Sequence, residues 1–91
     1  MRPNPTDETA IATAILDMAA ERGPAASFCP SEIARQLAGP TPEQWSRLMQ
    51  PVRRVAVELA REGRLVILRK SKPVDPLDFK GVYRLAQPRF D

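Results

Sequence analysis

The stretch TPEQWSRLMQPVRRVAVELAREGRLVIL, residues 41–68, decides the fold, because its hydrophobic pattern changes from helical to extended part-way along. Thr41 and Gln44 have the spacing of a capping box, which predicts a helix start. Pro51 has no N–H group, so we expect the helix to kink or restart near Gln50. An apolar stripe of helical period then continues to Glu62, and its members are Val52, Val55, Ala56 and Leu59.

Gly63 ends this third helix, and the hydrophobic period changes directly after it. Residues 65–68 (LVIL) are a short β-rich run, which predicts a strand. Residues 70–81 are polar and interrupted by prolines, which is typical of a long loop. Residues 82–85 (VYRL) predict the returning strand, with Tyr83 and Leu85 on one face.

Two shorter helices precede this stretch. Thr6 or Asp7 can cap a helix over residues 7–22, whose apolar side chains recur at three- and four-residue steps. The run at 27–29 indicates a stub of edge strand. A second helix over 30–39 has proline in its first turn and glycine just past its end, where each is favoured.

The order helix, strand stub, helix, helix, strand, long loop, strand is that of a winged helix-turn-helix. We therefore predict a mainly α fold with a small β-hairpin (α+β), in which the third helix is the usual recognition element and the hairpin loop is the wing. The predicted divisions are a flexible N-terminal arm (1–6), a winged-helix domain (7–86) and a C-terminal tail (87–91). A three-helix bundle with a disordered tail is the alternative, but it leaves the apolar side chains of both strands without a shared partner.

Three segments resemble one protein family. They are SFCPSEIA (27–34), PVRRVA (51–56) and EGRL (62–65), and the wing stretch KPVDP (72–76) with Gly81 adds to the likeness. Over residues 8–86 the chain resembles a bacterial family known as domain of unknown function 3253. The resemblance implies a winged-helix fold and a free-standing bacterial protein. It implies no activity.

The composition argues against catalysis and metal binding. The chain has no histidine, and Cys29 is its single cysteine, so the usual zinc ligand sets and the commonest general base are missing. The four glycines fall at element ends and form no phosphate-binding loop. We expect a binding protein that is not an enzyme, with no cofactor and no metal. Free cysteine is usually buried, so we expect the same of Cys29.

No stretch is apolar enough to span a bilayer and the N-terminus has no apolar signal-peptide core, so we expect a cytoplasmic protein without a membrane partner. Residues 1–45 carry three basic and six acidic side chains, whereas residues 46–91 carry eleven basic and five acidic ones. A strongly basic half suits an anionic partner.

Double-stranded DNA is the partner that this charge placement favours. The third helix would enter the major groove while wing lysines reach flanking phosphates. The candidate residues are Arg47, Gln50, Arg53 and Arg54 on the third helix, and Arg69, Lys70, Lys72, Lys80 and Arg84 in and beside the wing. Gln50 and Arg53 are the candidates for base contacts.

The same sequence is compatible with a protein-interaction module of winged-helix fold, including a homodimer. In that case the basic residues would be solvated, with Arg54 and Arg61 paired to Glu58 and Glu62. Trp45 also has two interpretations. It either closes the core over the first helix or forms an exposed anchor for a partner.

Overall fold

The computed structural model describes residues 7–88, so the predicted arm at 1–6 and the last three residues of the predicted tail lie outside the described chain. It contains helices α1 (Glu8–Arg22), α2 (Pro30–Ala38), α3 (Pro42–Trp45) and α4 (Met49–Arg61), and strands β1 (Val66–Arg69), β2 (Lys72–Pro73) and β3 (Arg84–Ala86). A 3₁₀ turn, Ser46–Leu48, joins α3 to α4 and completes the predicted third helix. This mainly helical α+β fold confirms the predicted class and is consistent with a winged helix.

The third helix is interrupted where its sequence predicts, because α4 begins at Met49, one residue before Gln50. The 3₁₀ turn ends at Leu48, so Pro51 falls in the first turn of α4, where an N–H group has no partner inside the helix. The proline ring would also clash with the carbonyl of residue 47 in a continuous α-helix. The predicted capping box is wrong, because the Thr41 side chain makes no capping hydrogen bond.

Helices α1, α2 and α4 each bury one apolar face. α1 packs against α4, and α2 packs against both. The predicted stripe of α4 is buried, and so is the stripe of α1, which consists of Ile11, Ala14, Ile15, Met18 and Ala19. Asp7 caps α1, since its Oδ1 accepts the N–H of Thr9 at 2.9 Å. The core therefore leaves the opposite face of α4 exposed.

The strands form an antiparallel sheet in the order β2-β1-β3. Ile67 of β1 lies opposite Leu85 of β3, and both side chains are fully buried. The predicted strand stub is confirmed as a single bridge, in which Phe28 and Leu85 each donate an N–H to the other's carbonyl at 2.8 Å. The sheet is thereby anchored to the segment between α1 and α2.

The first half of the predicted loop forms a tight hairpin. Lys70 and Ser71 both have positive φ, 51° and 67°, and they turn the chain so that β2 pairs with β1. Two-residue turns with this geometry usually carry Asn-Gly or a similar pair, which is absent here. β2 was therefore not predicted. The returning strand also begins later than expected, at Arg84.

An ion pair connects the end of α1 to the start of α2. Arg22 Nη2 lies 2.7 Å from Glu32 Oε1, while Glu32 Oε2 accepts the N–H of Cys29 at 2.9 Å. The hydrogen bonds from Arg22 and from the Cys29 amide lower the pKa of the Glu32 carboxyl. We expected Cys29 to be buried, but it is only partly buried.

We predict that Ile67→Val lowers the free energy of unfolding by about 0.5–1.5 kcal/mol, because a buried methylene is lost from the central strand. Val82→Ala is the control, since Val82 is 83% exposed, and it should change stability by less than about 0.5 kcal/mol. Urea titration of both variants measures the difference. Equal losses in the two proteins would contradict the described core.

We predict that Glu32→Gln destabilises the domain at neutral pH and that the difference from the original protein disappears in acid. The folded pKa of Glu32 lies below its unfolded value. The contribution of the Glu32 carboxylate to the free energy of unfolding is therefore complete above the unfolded pKa and is lost as the pH falls through the folded pKa. Urea titrations at several pH values test this.

Glu62→Gln is the matched control. The exposed Glu62 carboxylate approaches Arg64 at only 3.5 Å and should matter little at any pH. A Glu32→Gln effect that persists unchanged in acid would contradict a role for the carboxylate charge.

Candidate nucleic-acid interface

The exposed face of α4 presents three of the predicted residues together. Gln50, Arg53 and Arg54 are spaced three and four residues apart, which places their side chains on one side of the helix. They line a shallow depression together with Val57 and Glu58. The opposite side of α4 is held in the core, so this face is fixed in orientation.

Arg53 is not free on that face, because it reaches across to the wing. Its Nη2 donates to the carbonyl oxygen of Phe79 at 2.9 Å. Its guanidinium carbon lies 4.0 Å from the centre of the Phe79 ring and 5.6 Å from that of Tyr83. The two rings meet edge to face with centroids 5.2 Å apart. Arg53 thus fastens α4 to the returning part of the wing.

Two more predicted residues also bind the chain's own backbone. Arg69, at the end of β1, donates its Nε–H to the carbonyl oxygen of Val82 at 3.0 Å. Arg84, in β3, donates to the Ser27 hydroxyl at 2.7 Å and to the Ser27 carbonyl at 3.0 Å. Both arginines therefore support the wing and the sheet edge.

Arg54 has a different partner from the one its sequence spacing indicates. Its Nε lies 3.4 Å from Oε1 of Glu8 in α1, and Glu58 pairs instead with Arg61 at 3.1 Å. All of these side chains are more than half exposed, so the pairs contribute little stability and are readily exchanged. The predicted pairing of Arg54 with Glu58 is wrong.

Four predicted basic residues are exposed, and their side chains form no ion pair or hydrogen bond within residues 7–88. We call them the free cations, and they are Arg47, Lys70, Lys72 and Lys80. Arg47 lies in the 3₁₀ turn before α4, and Lys80 directly follows Phe79. Lys70 is the first residue of the hairpin turn, and Lys72 directly follows that turn. Charge on this part of the chain is thus available to an external anion.

The wing also carries acidic and apolar side chains. Asp75 Oδ1 accepts the N–H of Leu77 at 2.9 Å, which shapes an exposed turn that also includes Asp78. Leu77 is 68% exposed, and Val82 is more so. Within the described chain, no group of three His, Cys, Asp or Glu side chains could hold a metal ion.

Trp45 packs against the hydrophobic core beside α2. It is partly buried, and the Arg35 guanidinium carbon of α2 lies 4.9 Å from the ring centre. Sequence reasoning also missed Phe79 and Tyr83 as partners of Arg53. The available signal was one aromatic residue, Phe79, in the long polar loop and a second, Tyr83, in the predicted strand that follows it.

Fold and surface together define a small α+β domain whose third helix and wing carry exposed basic side chains. A family model described as "Protein of unknown function (DUF3253)" matches residues 8–88, and the chain belongs to that family. No curated protein matches the sequence. Among residues 7–88, no helix is both long enough and apolar enough to cross a membrane.

We predict that the only tyrosine, Tyr83, ionises near pH 12 in the folded protein and near pH 10 after unfolding. Burial raises its pKa to about 12, and its hydroxyl has no hydrogen-bond partner within residues 7–88. Ultraviolet titration of the tyrosinate band tests this directly. Because the pKa of Tyr83 is higher in the folded than in the unfolded protein, the neutral hydroxyl of Tyr83 contributes to the free energy of unfolding. This contribution is complete below about pH 10 and is lost as the pH rises to about 12.

Ionisation of Tyr83 near pH 10 in protein whose circular dichroism remains native would contradict the described burial of the ring.

Proposed function

We propose that this domain binds double-stranded DNA through its third helix and its wing. The free cations carry the proposal, since they lie on the 3₁₀ turn before α4 and along the wing with no acidic partner in the described chain. Solvated lysine and arginine side chains bind phosphate by releasing condensed counterions. The basic second half of the chain would supply attraction over a longer range.

Gln50 is the side chain suited to reading a base. It is exposed in the first turn of α4, and its amide can make two hydrogen bonds to an adenine edge in the major groove. Arg47 precedes it by one helical turn and would contact the backbone phosphate. Lys70, Lys72 and Lys80 would contact phosphates beside the groove and thereby fix the orientation of the helix.

The arginines that bind the chain's own carbonyls have a different part in this proposal. Arg53 uses one of its five N–H groups on Phe79, and its ring contacts hold the rest of the guanidinium against the wing. Arg69 and Arg84 would likewise support the wing. The direct contacts therefore come from Arg47, Gln50, Arg54 and the three lysines.

The proposal includes no chemical step. The absence of histidine and of a phosphate-binding glycine loop from the sequence supports a binding role without catalysis or a cofactor. Such a domain would meet DNA as a regulator in the cytoplasm of a bacterial cell.

A protein partner, including a second copy of this chain, is the other candidate. The observation that favours it is the exposure of Leu77 and Val82 on the wing, at 68% and 83%. Exposed aliphatic side chains on a loop are suited to the centre of a protein interface. Asp75 and Asp78 beside them would weaken contact with phosphate.

Fluorescence anisotropy of a labelled mixed-sequence duplex, titrated at several salt concentrations, tests the DNA proposal. We expect a Kd of roughly 10⁻⁴–10⁻⁶ M that weakens steeply as salt increases. Arg47→Ala and Lys72→Ala should each weaken binding to all sequences. Each should also reduce the salt slope, which is the steepness of the fall of log K with log salt concentration, by about one.

Arg61→Ala is the matched control, because it removes an equal charge from the last turn of α4, where Arg61 pairs with Glu58. It should leave the salt slope nearly unchanged. Absence of binding at low salt, or equal losses in all three variants, would contradict the proposed surface. Concentration-dependent sedimentation of the DNA-free protein would then favour a second copy as the partner.

A further inference from the structure

Lys80 lies between two backbone positions that arginine side chains hold in place. The carbonyl before it, at Phe79, accepts from Arg53 of α4 at 2.9 Å. The carbonyl two residues after it, at Val82, accepts from Arg69 of β1 at 3.0 Å. We infer that Arg53 and Arg69 are positioning residues that clamp residues 79–82, so that Lys80 is presented next to the third helix as one of the phosphate contacts of the wing.

The Arg53 end of the clamp combines three contacts on one planar group. The guanidinium donates to the Phe79 carbonyl, covers the Phe79 ring at 4.0 Å and lies 5.6 Å from the Tyr83 ring centre. Phe79 and Tyr83 are each only 8% exposed, so both rings are also held by the core. A hydrogen bond from a charged donor is stronger than one between neutral groups. Residue 79 is therefore fixed against α4.

The Arg69 end has a steric requirement as well as a hydrogen bond. Gly81 has φ +86°, and a Cβ atom there would lie 3.0 Å from Nη2 of Arg69. The loop thus passes close to the guanidinium in a conformation that favours glycine. Residues 79–82 belong to no helix or strand of the described chain, so these side-chain bonds substitute for strand pairing.

The consequence for binding is preorganisation. An exposed lysine on a mobile loop loses conformational entropy when it meets a phosphate, and a backbone already held in place reduces that cost. Lys80 has no partner of its own within residues 7–88, whereas its neighbours on both sides are held. The clamp itself is independent of any ligand, but the role given to Lys80 rests on the proposed function.

The first experiment tests the clamp without nucleic acid. Backbone ¹⁵N relaxation should give order parameters of about 0.85 for residues 79–82 in the original protein and values falling towards about 0.6 in Arg53→Met. Arg54→Met is the matched control, since Arg54 is the next residue and makes only one exposed contact, at 3.4 Å with Glu8. Unchanged order parameters in Arg53→Met would overturn the clamp.

Arg53→Lys separates geometry from charge and serves as the second variant if Arg53→Met does not fold. It keeps the positive charge but loses the planar group that both donates to a carbonyl and covers a ring. We expect loosened residues 79–82, a weaker affinity for duplex DNA and an unchanged salt slope. A lost phosphate contact would instead lower the slope by about one. Native-like order and affinity in Arg53→Lys would overturn the positioning role.

A double-mutant cycle connects the clamp to Lys80. Lys80→Ala should weaken DNA binding in the original protein, and its effect should shrink by about twofold or more in the Arg53→Lys background, as for coupled neighbours. Independent, multiplying losses would overturn the coupling. If the original protein binds no DNA at low salt, the role of Lys80 falls with the proposed function, while the relaxation data still decide the clamp.

Discussion

The antiparallel bridge between Phe28 and Leu85 is the contact on which the rest of the structure depends. Two backbone hydrogen bonds of 2.8 Å join the segment between α1 and α2 to the last strand, and both side chains are fully buried. A sheet of three very short strands is not stable by itself in water. The bridge and the buried side chains attach this sheet to the helical core, which brings the wing beside α4.

Arginine has two separate roles in this domain, and they divide the basic surface. Arg53, Arg69 and Arg84 donate to the chain's own carbonyls and tie the wing to the helices and the sheet. Arg47 and the three wing lysines have no such partner within residues 7–88. The basic surface available to an anion is therefore smaller than the number of basic residues in the sequence indicates. The wing that carries most of it is held in place by the other arginines.

Local sequence signals predicted the helices well because the information lies within one or two turns. The apolar stripe of α4, the proline that begins α2 and the glycines that end helices all act on nearby backbone. Signals that depend on exact backbone geometry were less reliable. Thr41 does not cap its helix, and the hairpin at Lys70 and Ser71 forms without the residues that usually mark such a turn.

The sequence by itself determined the order of the helices and of the two strands β1 and β3, the buried stripes and the concentration of positive charge in the second half, because composition and period record these directly. Tertiary structure alone decided which group each of these arginine side chains binds. The partners of Arg53, Arg69 and Arg84 lie 26, 13 and 57 residues away, and all three bonds end on backbone carbonyls, which every residue possesses. No residue type marks such an acceptor in a sequence, so only the folded chain shows which cations remain free.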